Sequence, residues 1–411
     1  MDRLLSRYTA LCVLSLFLGV NYEVGVVLRP FDALMAIGGL ILVGRASVRG
    51  YIDTLRKPTV YYLFAAAYSY RCLNGFVLSG MGTAVKETIQ VVEFILLVHL
   101  VATATRTSEN RRRFLRVLFI GTGLMALMTF VWHVGNGHYT GYKELGPPKY
   151  LFSFFGILAF GKYLEGRTNR FMGGILLIGL VLTILSGERK GWVALAGAMG
   201  VMYTVVRKEN VLGLLARLLR PRVIFSGGVT LGVAIVIGLQ FEYVVHQFET
   251  IADLYYIASN LSLEMDISAL ETSSSNLARL YILLFSIRMA MAYPFFGVGT
   301  GRWDQALTAA SGGDPEYMIG AHSEYQRFVV ENGITGFVLY VGVWVASLRR
   351  VTRLFQACIP GVRESVIKII GITVMGALIN IFLGGGALNI VYMSLAVGLL
   401  VGLENDEVIL S

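Results

Sequence analysis

The stretch richest in reactive residue types is 320–336, GAHSEYQRFVVENGITG. His322 opens an apolar run, with Glu324 beside it and Tyr325 and Gln326 one turn on along the same helical face. An imidazole at an aqueous interface accepts a proton near neutral pH, which is what an attacking hydroxyl requires. The competing reading is a structural histidine at a helix start. Glu324 is the second candidate base, and an exposed carboxylate is the weaker base at neutral pH. His99, His133, His138 and His246 show no comparable setting.

Cations are the other candidates. Ser186-Gly187-Glu188-Arg189-Lys190-Gly191 forms a short turn between two apolar runs, and the Arg189 guanidinium offers a fork of donors to two phosphate oxygens. Snorkelling to headgroups is the alternative there. Arg71 and Lys86 sit inside or against apolar runs, where an unpaired charge is costly. Lys86 has Glu93 two turns on along the same face, so a structural ion pair and an anion contact both fit. Residues 294–301, PFFGVGTG, superficially resemble a glycine-rich phosphate loop but follow no predicted strand. They are expected instead to be close-packed backbone that folds a loop onto the membrane surface. Trp303 reads as an interfacial aromatic, and Arg29, Lys143, Lys149 and Arg302 read as snorkelling side chains.

The elements that must carry these residues are apolar helices. The 411-residue chain is 55% hydrophobic and 15% charged, with mean hydropathy +0.67, which excludes an ordinary soluble domain. Apolar runs near 8–22, 31–44, 59–79, 84–104, 114–133, 148–164, 171–186, 191–206, 223–241, 322–348, 366–383 and 386–403 predict an all-α polytopic membrane bundle of about twelve transmembrane helices. The first run follows Arg3 and Arg7 but precedes no small-residue cleavage site, and it is expected to be a retained helix.

Lys and Arg cluster at the N-terminus and in 45–57, 106–116, 162–170, 207–222 and 349–368. The positive-inside rule places those loops and both termini in the cytoplasm. The net charge of +9 is thereby a matter of topology and not of nucleic-acid binding. Arg71, Lys86, Arg189, Arg279, Arg288 and Arg327 violate the rule, lying in outer loops or near them.

The expected organisation is nine spans over 1–241, a long periplasmic loop with surface or re-entrant helices over 242–321, and three spans with a cytoplasmic tail over 322–411. Within that loop, residues 276–296 are apolar yet interrupted by Arg279 and Arg288. A full span there would reverse every later loop, so a surface or partly inserted helix is expected. Cys12, Cys72 and Cys358 are too scattered for a disulfide framework or a zinc site.

Residues 276–345, and more loosely the whole layout, resemble the O-antigen ligase and polymerase superfamily of bacterial envelope enzymes. The resemblance rests on Arg279, Pro294 with GVGTG at 297–301, Ala321-His322 and Glu331-Asn332-Gly333-Ile334-Thr335-Gly336, in that order, with Arg189 upstream. It implies an inner-membrane enzyme with a periplasmic active site that transfers a glycan from undecaprenyl diphosphate to a sugar hydroxyl, with inversion and without metal or other cofactor. Arg189 and Arg279 would hold the diphosphate, Lys86 would assist, and His322 would activate or orient the acceptor. Arg288 would extend the anionic site, and Tyr325 would stack on a sugar ring or serve as an interfacial aromatic.

The partners implied are the lipid-linked donor, an acceptor glycan or lipid A core, membrane lipids and a chain-length regulator. Ligases of this superfamily often carry Asn after the histidine, where this chain has Ser323. Arg189 and Arg288 are each followed eleven residues later by glycine, Gly200 and Gly299, which is reminiscent of polymerases. A polymerase is therefore preferred to a ligase. A lipid-linked glycan transporter is a more distant alternative, expected to show a repeated half and midplane charges that are not evident here.

Overall fold

The computed structural model describes residues 2–15, 22–23, 27–28, 30–46, 58–136, 160, 196–200, 274–311, 324–357 and 389–404. Apolar sequence with few breakers gives helices throughout these stretches. They are α1 (Asp2–Ser15), α2 (Pro30–Ala46), α3 (Thr59–Asn74), α4 (Met81–Thr105), α5 (Ser108–Asn136), α6 (Ser274–Ala292), α7 (Trp303–Ser311), α8 (Glu324–Ala357) and α9 (Asn389–Glu404). The exception among the described residues is a two-residue antiparallel pair, β1 (Tyr22–Glu23) with β2 (Val27–Leu28), in which Tyr22 faces Leu28.

Pro58 holds extended backbone ahead of α3, with φ −69° and ψ 161°. At its other end α3 runs on through a π-helical turn, Gly75–Ser79, and Gly80 at φ 93° reverses the chain into α4. The resulting hairpin places the end of α3 beside the start of α4. Arg111 of α5 closes the other end of α4 by donating to the Thr105 carbonyl at 3.2 Å. By length and composition, α4 and the Glu324–Val351 part of α8 can each cross a membrane.

The main core lies between α3, α4, α8 and α9, and α1, α2 and α5 add buried side chains to it. The Phe328 ring stacks on Tyr340 at 4.5 Å and meets Tyr68 edge-on at 5.9 Å, so aromatic packing joins α8 to α3. α9 approaches α4 through small residues: side chains in place of Gly398 and Gly402 would run into Val101 and Thr105. Such close backbone approach is how helices associate where lipid offers no hydrophobic drive.

The predicted runs 31–44, 59–79, 84–104 and 114–133 fall on described helices, with 75–79 forming the π turn, as do 324–348 of the run 322–348 and 389–403 of the run 386–403. The first does so only in part: α1 begins at Asp2, and Tyr22, expected to close that span, is extended. Apart from Phe160 and helical residues 196–200, the expected spans 148–164, 171–186, 191–206, 223–241 and 366–383 lie outside the described residues.

Candidate active site

α8 is not continuous. At Gly333 the backbone turns to φ 63°, ψ −166°, a region open essentially only to glycine, and the helical hydrogen-bond ladder breaks. A regular helix would bond the Ile334 amide to the Val330 carbonyl. Instead Ile334 donates to the Pro294 carbonyl at 2.8 Å, and the Val330 carbonyl accepts from the Val298 amide at 2.9 Å. The Glu331 carbonyl, released by the same break, accepts from the Gly299 amide at 3.0 Å. Backbone groups freed by the kink are thus taken up by the loop 294–299, as buried backbone requires.

Two glycines permit this contact. A Cβ on Gly297 would strike the backbone of Val330–Asn332, and one on Gly333 would strike the Phe295 carbonyl. The PFFGVGTG loop therefore folds onto a broken helix. It is also tied to α3. Asn74 Nδ2 donates to the Phe296 carbonyl at 2.7 Å, and the Thr300 amide donates to Asn74 Oδ1 at 2.8 Å. The fully buried Thr300 hydroxyl donates to the Arg71 carbonyl at 2.9 Å and lies 2.8 Å from Asn332 Oδ1. Tyr70 Oη donates to the Asn332 carbonyl at 3.3 Å.

Below this clamp is an ionic cluster centred on Arg71, which is 1% exposed. Its Nε and Nη2 donate to the two oxygens of Glu87 on α4, at 2.8 and 3.3 Å. Nη1 donates to Glu324 Oε1 on α8 at 3.2 Å, and Nη2 stands 3.7 Å from Glu331 Oε2. Arg327 donates to Glu331 Oε2 at 3.2 Å. The Phe328 ring lies 5.7 Å from the Arg71 guanidinium carbon. One guanidinium fork thus joins α3, α4 and the first two turns of α8.

A cavity of about 550 Å³ opens beside the loop, lined among others by Leu78, Met289, Tyr293, Val298, Arg302 and Gln305. Its wall is mainly apolar, with one guanidinium and one amide.

The structure distributes the sequence-predicted residues unevenly. Arg189 and His322 lie outside the described residues. Arg279 lies on α6, nine positions before Arg288. At 3.6 residues per turn that is roughly two and a half turns, so the two positions fall on opposite faces of the helix. Arg288 is exposed, as is Lys86 on α4, whose neighbour Glu87 turns inward to Arg71. Tyr325 is half-buried and packs against the main core.

Two expectations are corrected. Glu324, read as an exposed reserve base, is 1% exposed and bound to Arg71, because a guanidinium buried on α3 requires carboxylates. Trp303, read as interfacial, is 5% exposed and meets Phe285 edge-on at 5.3 Å. Arg302 lines the cavity.

A family model described as O-antigen ligase matches residues 174–341. That stretch, about two fifths of the chain, is similar to the O-antigen ligase family. No curated protein matches the chain. The O-antigen ligase match takes in Arg189, Arg279, Arg288, His322 and Tyr325, and both halves of the backbone clamp. It stops within α8 and leaves out Arg71, Glu87 and Lys86. Two of the side chains that hold Glu331 and Asn332, Arg71 and Tyr70, thus come from α3, outside the match. Sequence reading passed over Glu87, Asn74 and Thr300. An isolated charge in an apolar run, Arg71, was the one signal that acids elsewhere must face it.

Proposed function

We propose that the protein is an inverting glycosyltransferase of the bacterial inner membrane, joining a glycan carried on undecaprenyl diphosphate to a sugar hydroxyl at the periplasmic face. The observation that carries this reading is the O-antigen ligase family match over 174–341, which contains Arg189, Arg279 and His322 in order. The acceptor oxygen forms a bond to the anomeric carbon from the side opposite the diphosphate. The carbon–oxygen bond to diphosphate breaks, and the hydroxyl proton passes to His322. Negative charge grows on the departing diphosphate, and Arg189 and Arg279 stabilise it there, with Lys86 and Arg288 at the margin of the anionic site. Guanidinium groups suit this task because they stay charged and bind two oxygens at once.

Ser323 after the histidine and the Arg–Gly spacings at 189–200 and 288–299 favour a polymerase. The family match itself fits polymerase and ligase alike. Reconstituted protein supplied with undecaprenyl-diphosphate-linked oligosaccharide separates the two. Longer glycans with released undecaprenyl diphosphate identify a polymerase, whereas transfer confined to lipid A core identifies a ligase. Absence of both products, with lipid-linked glycan moved across the vesicle, would indicate a transporter. Wild-type turnover in both His322→Ala and Arg279→Ala would discard the residue roles.

A further inference from the structure

We propose that the cavity beside the 294–301 loop is a binding site for one anionic phospholipid of the bilayer, with its phosphodiester held by Arg302 and Gln305 and a chain lying along Leu78, Met289 and Tyr293. This lipid is a resident of the fold, separate from the donor whose diphosphate is given above to Arg189 and Arg279.

At about 550 Å³ the cavity falls within the roughly 300–1,000 Å³ of small-molecule sites. The loop builds its charged end. Arg302 precedes α7, where its carbonyl accepts from the Ala306 amide at 2.9 Å, and its own amide donates to the Gly299 carbonyl at 3.2 Å. Gly299, at φ 106°, keeps the space clear: a Cβ there would stand 2.9 Å from Leu78 Cβ and 3.4 Å from Arg302 Cδ. The Arg302 stem and the π turn that carries Leu78 thus come together over a glycine.

Among the described residues, no carboxylate lines the cavity and none pairs with Arg302. A cation set among Leu, Met, Val and Ala side chains calls for an anion. One guanidinium matches the single charge of a phosphodiester, whereas a diphosphate carries more than one. Gln305 adds an amide donor for a further phosphate oxygen or a headgroup hydroxyl.

The surroundings favour an amphiphile. α7 buries Trp303 and Leu307 and exposes Asp304, Gln305 and Thr308, whereas the segment that supplies Tyr293 exposes Met291, Phe295 and Phe296. Polar exposed side chains on one lining element and apolar ones on the next suit a boundary between water and hydrocarbon. A free phosphate would leave the apolar wall uncovered, and a glycan would meet only two polar side chains in it.

The test titrates full-length protein in a neutral detergent with dioleoylphosphatidylglycerol and counts bound lipid by native mass spectrometry. Dioleoylglycerol, which has the chains without the phosphate, and undecaprenyl phosphate are titrated in parallel. One phosphatidylglycerol is expected to bind more tightly than any that follow, and dioleoylglycerol is expected not to displace it. Arg302→Gln is expected to weaken that first site about tenfold to a hundredfold, because its charge-assisted bonds are lost. Ala309→Trp, at an exposed position of the wall, is expected to weaken it by filling the cavity.

Unchanged phosphatidylglycerol affinity in folded Arg302→Gln overturns the proposal, and so does equal binding of dioleoylglycerol. Tighter binding of undecaprenyl phosphate at the same site, lost in Arg302→Gln, would put the donor's lipid there and overturn it too. Should Arg302→Gln not fold, unchanged affinity in Ala309→Trp decides against it.

Discussion

The Ile334 amide donates to the Pro294 carbonyl at 2.8 Å, across forty positions of sequence, while its ordinary helical acceptor, Val330, is held by Val298. This exchange depends on Gly333. In Gly333→Ala the backbone conformation itself costs about 1–3 kcal/mol, and the new methyl meets the Phe295 carbonyl. The variant is expected to unfold at a lower temperature in detergent micelles and to lose transfer activity with it. A melting curve superimposable on wild type would show that α8 can kink without the loop.

Thr300→Val tests the link from that loop to α3. Valine keeps the volume but removes the hydroxyl that serves the Arg71 carbonyl and faces Asn332. Leaving buried polar groups without a partner costs about 1–3 kcal/mol. Thr300→Ser retains the hydroxyl and is expected to fall between the two. Chemical unfolding followed by tryptophan fluorescence ranks the three proteins; a Val variant as stable as wild type would mean the hydroxyl bonds add nothing.

Helix positions were legible in the sequence because apolar runs report them directly: 84–104 lies inside α4, and 324–348 of the run 322–348 lies inside α8. The break in α8 was not, since ENGITG reads as a tolerable interruption until the loop that repairs it is in view. The candidate site divides in the same way. Arg71 was conspicuous as a charge in an apolar run, but its partners are three carboxylates at sequence distances of 16, 253 and about 260 residues. Periodicity carries no information about such pairs. Glu87 in particular stood next to Lys86, whose exposed charge drew attention from the inward-facing acid beside it.

Removing the Arg71 charge altogether should be far more damaging than altering its shape. Arg71→Met leaves Glu87, Glu324 and Glu331 buried, with Arg327 still paired to Glu331 among the described residues, and breaking a buried ion pair from one side costs about 3–5 kcal/mol. Arg71→Met is expected not to accumulate as a monodisperse species on size-exclusion chromatography, whereas Arg71→Lys does. Equal yields of the two would mean that the acids find compensation elsewhere.

The anionic site yields a graded prediction. Arg279 lies within the O-antigen ligase match, on α6, whereas Lys86 is an exposed residue of α4 outside it. If Arg279 stabilises the departing diphosphate, Arg279→Ala removes about 2–4 kcal/mol of transition-state stabilisation, a hundredfold or more in rate. Arg279→Lys should recover only part of this, because an ammonium is a point charge and cannot grip two oxygens. Lys86 is exposed in the second turn of α4, so its contribution is an attraction at the helix end that acts on donor capture. Lys86→Ala is accordingly expected to raise donor KM a few-fold, to leave kcat unchanged and to weaken the dependence of KM on salt. Initial rates of undecaprenyl diphosphate release at two ionic strengths measure all three variants. A kcat loss in Lys86→Ala as deep as that in Arg279→Ala would bring Lys86 to the reacting diphosphate and undo the distinction between the two.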